Sequence, residues 1–153
     1  MDAVDRKILA LLQEDAALSI EKIATKVHLS STPCWKRIRR LEKDGVIQKR
    51  VALLDAEKVG AGVTVFVAIK TNQHNREWLD HFASSVEDMP EILDFYRMSG
   101  EIDYLLRVVV SDIAAFDDFY QRLISRVPLS DVTSSFAMEK IKHTTALPIA
   151  TTE

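Results

Sequence analysis

Three features of the sequence predict an α+β chain, with a helical N-terminal third followed by a mixed remainder. Apolar residues recur every three or four positions through the first 46 residues, the period of helices packed on one face. From residue 63 to 143, β-branched and aromatic runs alternate with helical stripes in the order βαββαβ. Charge divides at nearly the same place. Residues 1–50 hold 11 Lys and Arg against 7 Asp and Glu, a net +4, while residues 51–153 hold 9 against 16, a net −7. The overall −3 therefore hides a basic block, and a polyanion responds to the field of that block.

Composition narrows the class further. With 47% apolar and 28% charged residues and only four Gly and four Pro, the chain is neither disordered, collagen-like nor linker-rich. One Cys excludes an internal disulfide framework and a multi-Cys zinc site, and it suits a reducing cytoplasm. No apolar run approaches the roughly 20 residues that span a bilayer. The acidic opening with Asp2 and Asp5 leads to the expectation of no secretory signal.

In the first block, Val4, Ile8, Leu11 and Leu12 place a helix over residues 3–14. Ser19 is a good N-cap for a second helix, with Glu21 near its positive end and Leu18 and Ile23 spaced as a hydrophobic staple. The segment His28-Leu29-Ser30 breaks the stripe. A third helix runs from the Ser30–Pro33 region to about Asp44, with Gly45 as its stop. Two short helices joined by a three-residue turn form a helix-turn-helix candidate.

The third helix is two-faced. Cys34, Ile38 and Leu41 fall at i, i+4 and i+7 and make a face to bury, against which small Ala24 permits a close crossing. Thr32, Lys36, Arg39 and Lys43 lie opposite, flanked by Ser31, Trp35 and Arg40. Such a helix suits the major groove, with Ser31, Thr32 and Trp35 meeting base edges or thymine methyls, and Lys36, Arg39 and Arg40 meeting phosphates. A solvated cationic face is the plainer alternative for the Lys36–Arg40 run. Cys34 reads as a small packing residue, with a redox role as the alternative. RNA is disfavoured because no aromatic strand accompanies the cations.

The second block opens with an expected strand over 47–54 and a turn or short helix near 56–59. Val63–Ile69 is a strand, and Trp78, Leu79, Phe82, Ala83 and Val86 mark a helix. Strands follow over 92–98 and 104–110, joined by the turn Ser99–Asp103. Ile113, Phe116, Tyr120, Leu123, Ile124 and Val127 mark a helix capped by Asp112, and a last strand is expected over 132–141. The order is ferredoxin-like. Helices on one sheet face leave the other for water or a second copy, so a homodimer reading a palindromic site is expected.

Asp5-Arg6-Lys7-Ile8-Leu9, Leu29 through Ile38, Arg40 through Ile47, Gly100-Glu101-Ile102-Asp103-Tyr104-Leu105-Leu106 and Phe136-Ala137-Met138-Glu139 occur in an order and spacing that resemble the Lrp/AsnC (leucine-responsive, feast/famine) regulators over nearly the whole chain. The resemblance implies a winged-helix-like helix-turn-helix domain over 1–46, a strand and linker over 47–62, a RAM (ACT-like) effector and oligomerisation domain over 63–143, and a tail over 144–153. It implies a transcriptional regulator that binds double-stranded DNA and assembles as a homodimer or a higher oligomer such as an octamer. Its effector is a small amino acid held between RAM domains, with no further cofactor, and the protein is cytoplasmic and nucleoid-associated. The effector site carried over is Met98, Ser99, Gly100, Glu101, Asp103 and Tyr104, with Ser134, Ser135 and Phe136 as a weaker extension whose hydroxyls argue against leucine.

The turn also makes chemical sense alone. Glu101 or Asp103 could accept from an ammonium, and backbone N–H groups near Ser99 and Gly100 could donate to a carboxylate. A hairpin turn that binds nothing is the alternative there. For the chain as a whole, a small ferredoxin-like enzyme or regulatory subunit and a DNA-architectural oligomer remain the other readings. The scattered His28, His74, His81 and His143 form no convincing metal set, and no phosphate loop or catalytic triad stands out.

Overall fold

The computed structural model describes residues 1–73 and 75–150. It forms two compact units, one of residues 1–53 joined by the C-terminal segment from 141, and one of residues 54–140.

The first unit contains α1 (Ala3–Glu14), α2 (Ile20–Lys26) and α3 (Ser31–Lys43). A capping box starts α1: the Asp5 amide donates to the Asp2 carboxylate at 2.8 Å, and the Asp2 amide donates to Asp5 at 3.0 Å. Ser19 caps α2 by accepting from the Lys22 amide. The turn between α2 and α3 is a Schellman closure, with the Leu29 amide on the Ala24 carbonyl at 2.9 Å and the His28 amide on Thr25 at 3.3 Å. His28 takes the left-handed conformation there, at φ 57. Gly45, at φ 72, closes α3 in the same way, with the Val46 amide on Leu41 and its own amide on Glu42. Ile8, Ile23, Ala24, Val27, Cys34 and Ile38 form the core.

The strand expected over 47–54 is absent. That segment makes no strand pairing among the described residues and leaves Val51, Leu53 and Leu54 exposed. Its β-branched and apolar residues suit a strand, but a strand needs a ladder partner, and the described residues supply none there. A turn follows at residues 56–60.

The second unit is β1 (Val63–Lys70), α4 (Arg76–Val86), β2 (Ile92–Arg97), β3 (Tyr104–Val110), α5 (Ile113–Arg126) and β4 (Asp131–Phe136). The sheet is antiparallel throughout, in the order β2-β3-β1-β4. Asn75 and Asp112 cap α4 and α5 by accepting from the Trp78 and Ala115 amides. Val65, Val67, Ile69, Leu106 and Val108 face Phe82, Phe119 and Leu123 in the core.

The last strand is shorter than expected and ends at Phe136, not Ile141. Val65 pairs with Phe136, and the Ala137 amide still reaches the Thr64 carbonyl. Beyond that only Val63 of β1 remains and the ladder is not continued, so Met138 and Ile141 are exposed. Among the described residues, no helix is long and apolar enough to cross a membrane.

Candidate functional site

In the first unit, burial splits α3 along its length. Cys34, Ile38 and Leu41 are at most 2% exposed, and this anchors the helix. Ser31, Thr32, Trp35, Lys36, Arg39 and Arg40 are all exposed. The same side chains that a major-groove helix would use therefore stand on one solvent-facing surface. Trp35 is 49% exposed, so its ring is available on the same surface as the cations. The Arg39 guanidinium stacks over its ring at 5.8 Å. Cys34 is sealed in the core, and burial pushes its thiol pKa up despite nearby Arg37. That is the opposite of what an activated thiolate needs.

The cations differ in what already holds them. Arg39 bonds Glu42 at 3.0 Å, and Arg50 bonds the other oxygen of Glu42 at 3.1 Å. Arg40 bonds Asp5 at 2.6 Å. Lys36 makes no ion pair among the described residues. Asp5 is the feature the sequence reading missed. It is 1% exposed, and its carboxylate accepts from Arg37 at 2.9 Å as well as from Arg40 and the Asp2 amide. A buried carboxylate persists only when so satisfied. The cluster ties α1 to α3. Its sequence signal was Asp5 at an otherwise apolar helical position next to Ile8. Asp2 joins it through Arg37 at 2.6 Å. The Asp5 amide, then Arg37, hold the Asp2 carboxyl pKa at about 2.

In the second unit, the N-terminal end of α4 and the facing ends of β2 and β3 enclose a cavity of about 450 Å³. Met98, Asp103 and Tyr104 line it together with Asn75, Arg76, Leu79, Asp80 and Arg97. Met98, Leu79 and Tyr104 supply apolar surface. Two guanidinium groups and two carboxylates supply both signs of charge, as a zwitterion requires. Asp103 is braced from below: its carboxylate accepts from the Thr71 amide at 2.8 Å, and its own amide donates to the Ile69 carbonyl at 3.0 Å.

The rest of the expected set is placed differently. Ser99, Gly100 and Glu101 sit in the exposed turn beside the cavity without lining it. Gly100 has φ 131, a conformation that favours glycine. Glu101 pairs with Lys70 at 3.1 Å. Ser134 and Ser135 lie on β4 opposite Val67 and Phe66 and are not among the cavity's lining residues. Phe136 packs edge-on against Phe116 of α5. Asn75, Arg76, Leu79, Asp80 and Arg97 were not foreseen, because nothing local in the sequence tells which helix end will face the turn.

A second hollow of similar volume lies between α4 and β2, lined in part by Glu87, Asp94, Met89 and Leu93. It carries carboxylates but no cation, so it lacks the two signs of charge that the first cavity offers a zwitterion. His74 lies outside the described residues. Among the described residues, no group of three or more His, Cys, Asp or Glu could hold a metal ion.

Comparison with known proteins agrees with this division. Residues 1–48 match the winged helix-turn-helix DNA-binding model, and residues 64–147 match the Lrp/AsnC ligand binding domain. The chain is 58% identical to the DNA-binding transcriptional activator DecR of Escherichia coli, over 97% of this chain and 99% of that one. It is similar to the crystal structure of an AsnC family transcriptional regulator from Agrobacterium tumefaciens, with 59% identity, 97% of each chain covered and a TM-score of 0.93. It is also similar to a transcriptional regulator from Neisseria meningitidis solved in complex with L-Met, with 36% identity, 98% and 97% covered and a TM-score of 0.92. The two-unit fold, the cation-faced helix and these matches lead to one conclusion: the chain belongs to the Lrp/AsnC family of helix-turn-helix transcriptional regulators.

Proposed function

We propose that this protein is a cytoplasmic, nucleoid-associated homo-oligomer that reads a palindromic operator with α3 and changes its DNA affinity or assembly when a small amino acid binds at the α4–β2–β3 cavity. The observation that carries the reading is the polarity of α3, whose buried face fixes the helix while Thr32, Lys36 and Arg39 stay presented to solvent. Ser31, Thr32 and Trp35 are the base-edge candidates, and Lys36 is the strongest phosphate candidate because its charge is uncommitted. Arg39 and Arg40 contribute while shared with Glu42 and Asp5.

The amino-acid arm rests on the mixed charge and apolar surface of the cavity, and on the L-Met complex of the Neisseria relative. Met98, Asp103 and Tyr104 line the ligand space. Ser99, Gly100 and Glu101 form its lip, and Ser134 and Ser135 come from a neighbouring copy if they take part. The open face of the sheet supports the dimer. Phe66 and Tyr96 are 39% and 51% exposed there, and by register they flank the Asp94–Arg107 pair and Leu105.

A thermal-shift screen against the common amino acids at millimolar concentration tests the sensor. A ligand at 100 times its Kd adds about 2.7 kcal/mol to native stability. The expected result is one or two clear shifts, which then change affinity for a duplex selected from a random pool by roughly 5–150-fold. Tight, salt-sensitive DNA binding with no amino-acid response would leave an architectural oligomer instead.

A further inference from the structure

We propose that residues 141–150 act as a strap, docked on the outer face of α1, that sets the reach of the helix-turn-helix unit so that two half-sites are engaged together. This rests on the two-half-site reading above. The chain leaves the second unit after β4, yet from residue 141 it belongs to the first. The first unit is therefore joined to the second by two chain crossings, one at residues 53–54 and one at 140–141.

The docking is specific. The Gln13 amide nitrogen donates to the Leu147 carbonyl at 3.2 Å, and the Leu147 amide donates back to the Gln13 side-chain oxygen at 2.6 Å. This reciprocal pair imitates one rung of a strand ladder. Arg6 then donates to the Ala150 carbonyl at 3.2 Å. Arg6 and Gln13 are seven residues apart, about 10 Å along one helix face. Leu147 and Ala150 are three residues apart, about 10 Å along an extended chain. The two spacings match, with the segment running antiparallel to α1.

The sequence favours that shape. Pro148 has no N–H to leave unsatisfied and biases Leu147 towards extended geometry. Leu147 is 73% exposed, so a few polar bonds hold the strap and it can release. A recognition unit on one short connection explores more space than one held by two, and the second half-site then meets it at a lower effective concentration.

Two full-length variants test this from opposite sides. Gln13→Ala removes the acceptor and donor on α1. Leu147→Pro removes the amide on the strap and leaves α1 untouched. Each variant and the parent are titrated with a single half-site duplex and with a two-half-site duplex. Both variants should match the parent on the single half-site within about twofold, which also reports a folded unit, and bind the double site at least about fivefold more weakly. Variants that keep the parent's full gain from the second half-site overturn the strap alone. A parent that gains nothing from the second half-site overturns the two-half-site reading, and the strap with it.

Discussion

The cations on and beside α3 look alike in the sequence and differ in their surroundings. Lys36 has no ion pair among the described residues, whereas Arg40 is one of two guanidinium groups on buried Asp5. Replacing Lys36 by Ala should reduce the salt slope of operator binding by about 0.9, the value for one phosphate contact, without moving Tm. Arg40→Ala should lower Tm as well, because it strips a partner from a buried carboxylate. Salt titrations and melting curves on the two variants separate these outcomes. An equal, DNA-only effect would contradict the role given to Asp5.

The same cluster carries a pH signature. Asp2 titrates near 2 in the folded chain, against 3.8 for the free group, chiefly because it accepts from the Asp5 amide and from Arg37. The folded state therefore holds this proton less tightly. The contribution is complete above about pH 4, declines as the pH falls towards 2, and is gone below that. Asn at position 2 keeps the cap and loses the charge. In Asp2→Asn the fall of Tm between pH 4 and 2 should be shallower than in the parent; parallel curves would remove Asp2 from the acid response.

At the scale of elements, what the sequence revealed depended on whether the deciding contact was local. All three helices of the first unit were legible because Ser19, Gly45 and the apolar period act within a few residues. The six elements of the sheet unit were legible for the same reason. The length of β4 was not, since it is fixed by where β1 begins, some seventy residues earlier. The absence of a strand at 47–54 was not legible either, since only the fold reveals the missing partner. The cavity divides along the same line. Met98, Asp103 and Tyr104 belong to a readable turn, but the α4 side of the wall is a tertiary fact. The end of that helix is fixed by Asn75, whose side chain accepts from the Trp78 amide at 2.8 Å. Asn75→Ala should cost about 1 kcal/mol of stability through the lost cap. It should also weaken binding of the amino acid found in the screen, because Arg76, Leu79 and Asp80 depend on that first turn. Calorimetry on the variant checks both effects. A cap loss with unchanged affinity would place the ligand away from α4.

For the molecule as a whole, the unanswered physical demand is the uncovered sheet face. A single helical layer satisfies one side. The other presents Phe66 beside the Asp94–Arg107 pair, with Ala68, Leu105 and Tyr96 in the next row. Phe66 and Tyr96 keep 39% and 51% of their surface in water, and aromatic residues so placed commonly anchor an interface between copies. A two-fold arrangement makes such a face self-complementary, because Asp94 and Arg107 offer both signs of charge to an identical partner. Phe66 is central in the sheet, on the strand flanked by β3 and β4, so a charge there meets its symmetry mate or the partner's apolar surface. Phe66→Glu should therefore yield a monomeric mass in light scattering at micromolar concentration. The helical core of the first unit does not involve Phe66, so binding to a single half-site should persist while the gain from a second half-site disappears. A variant that stays dimeric and keeps that gain would move the interface to the sheet edge at β2 or β4.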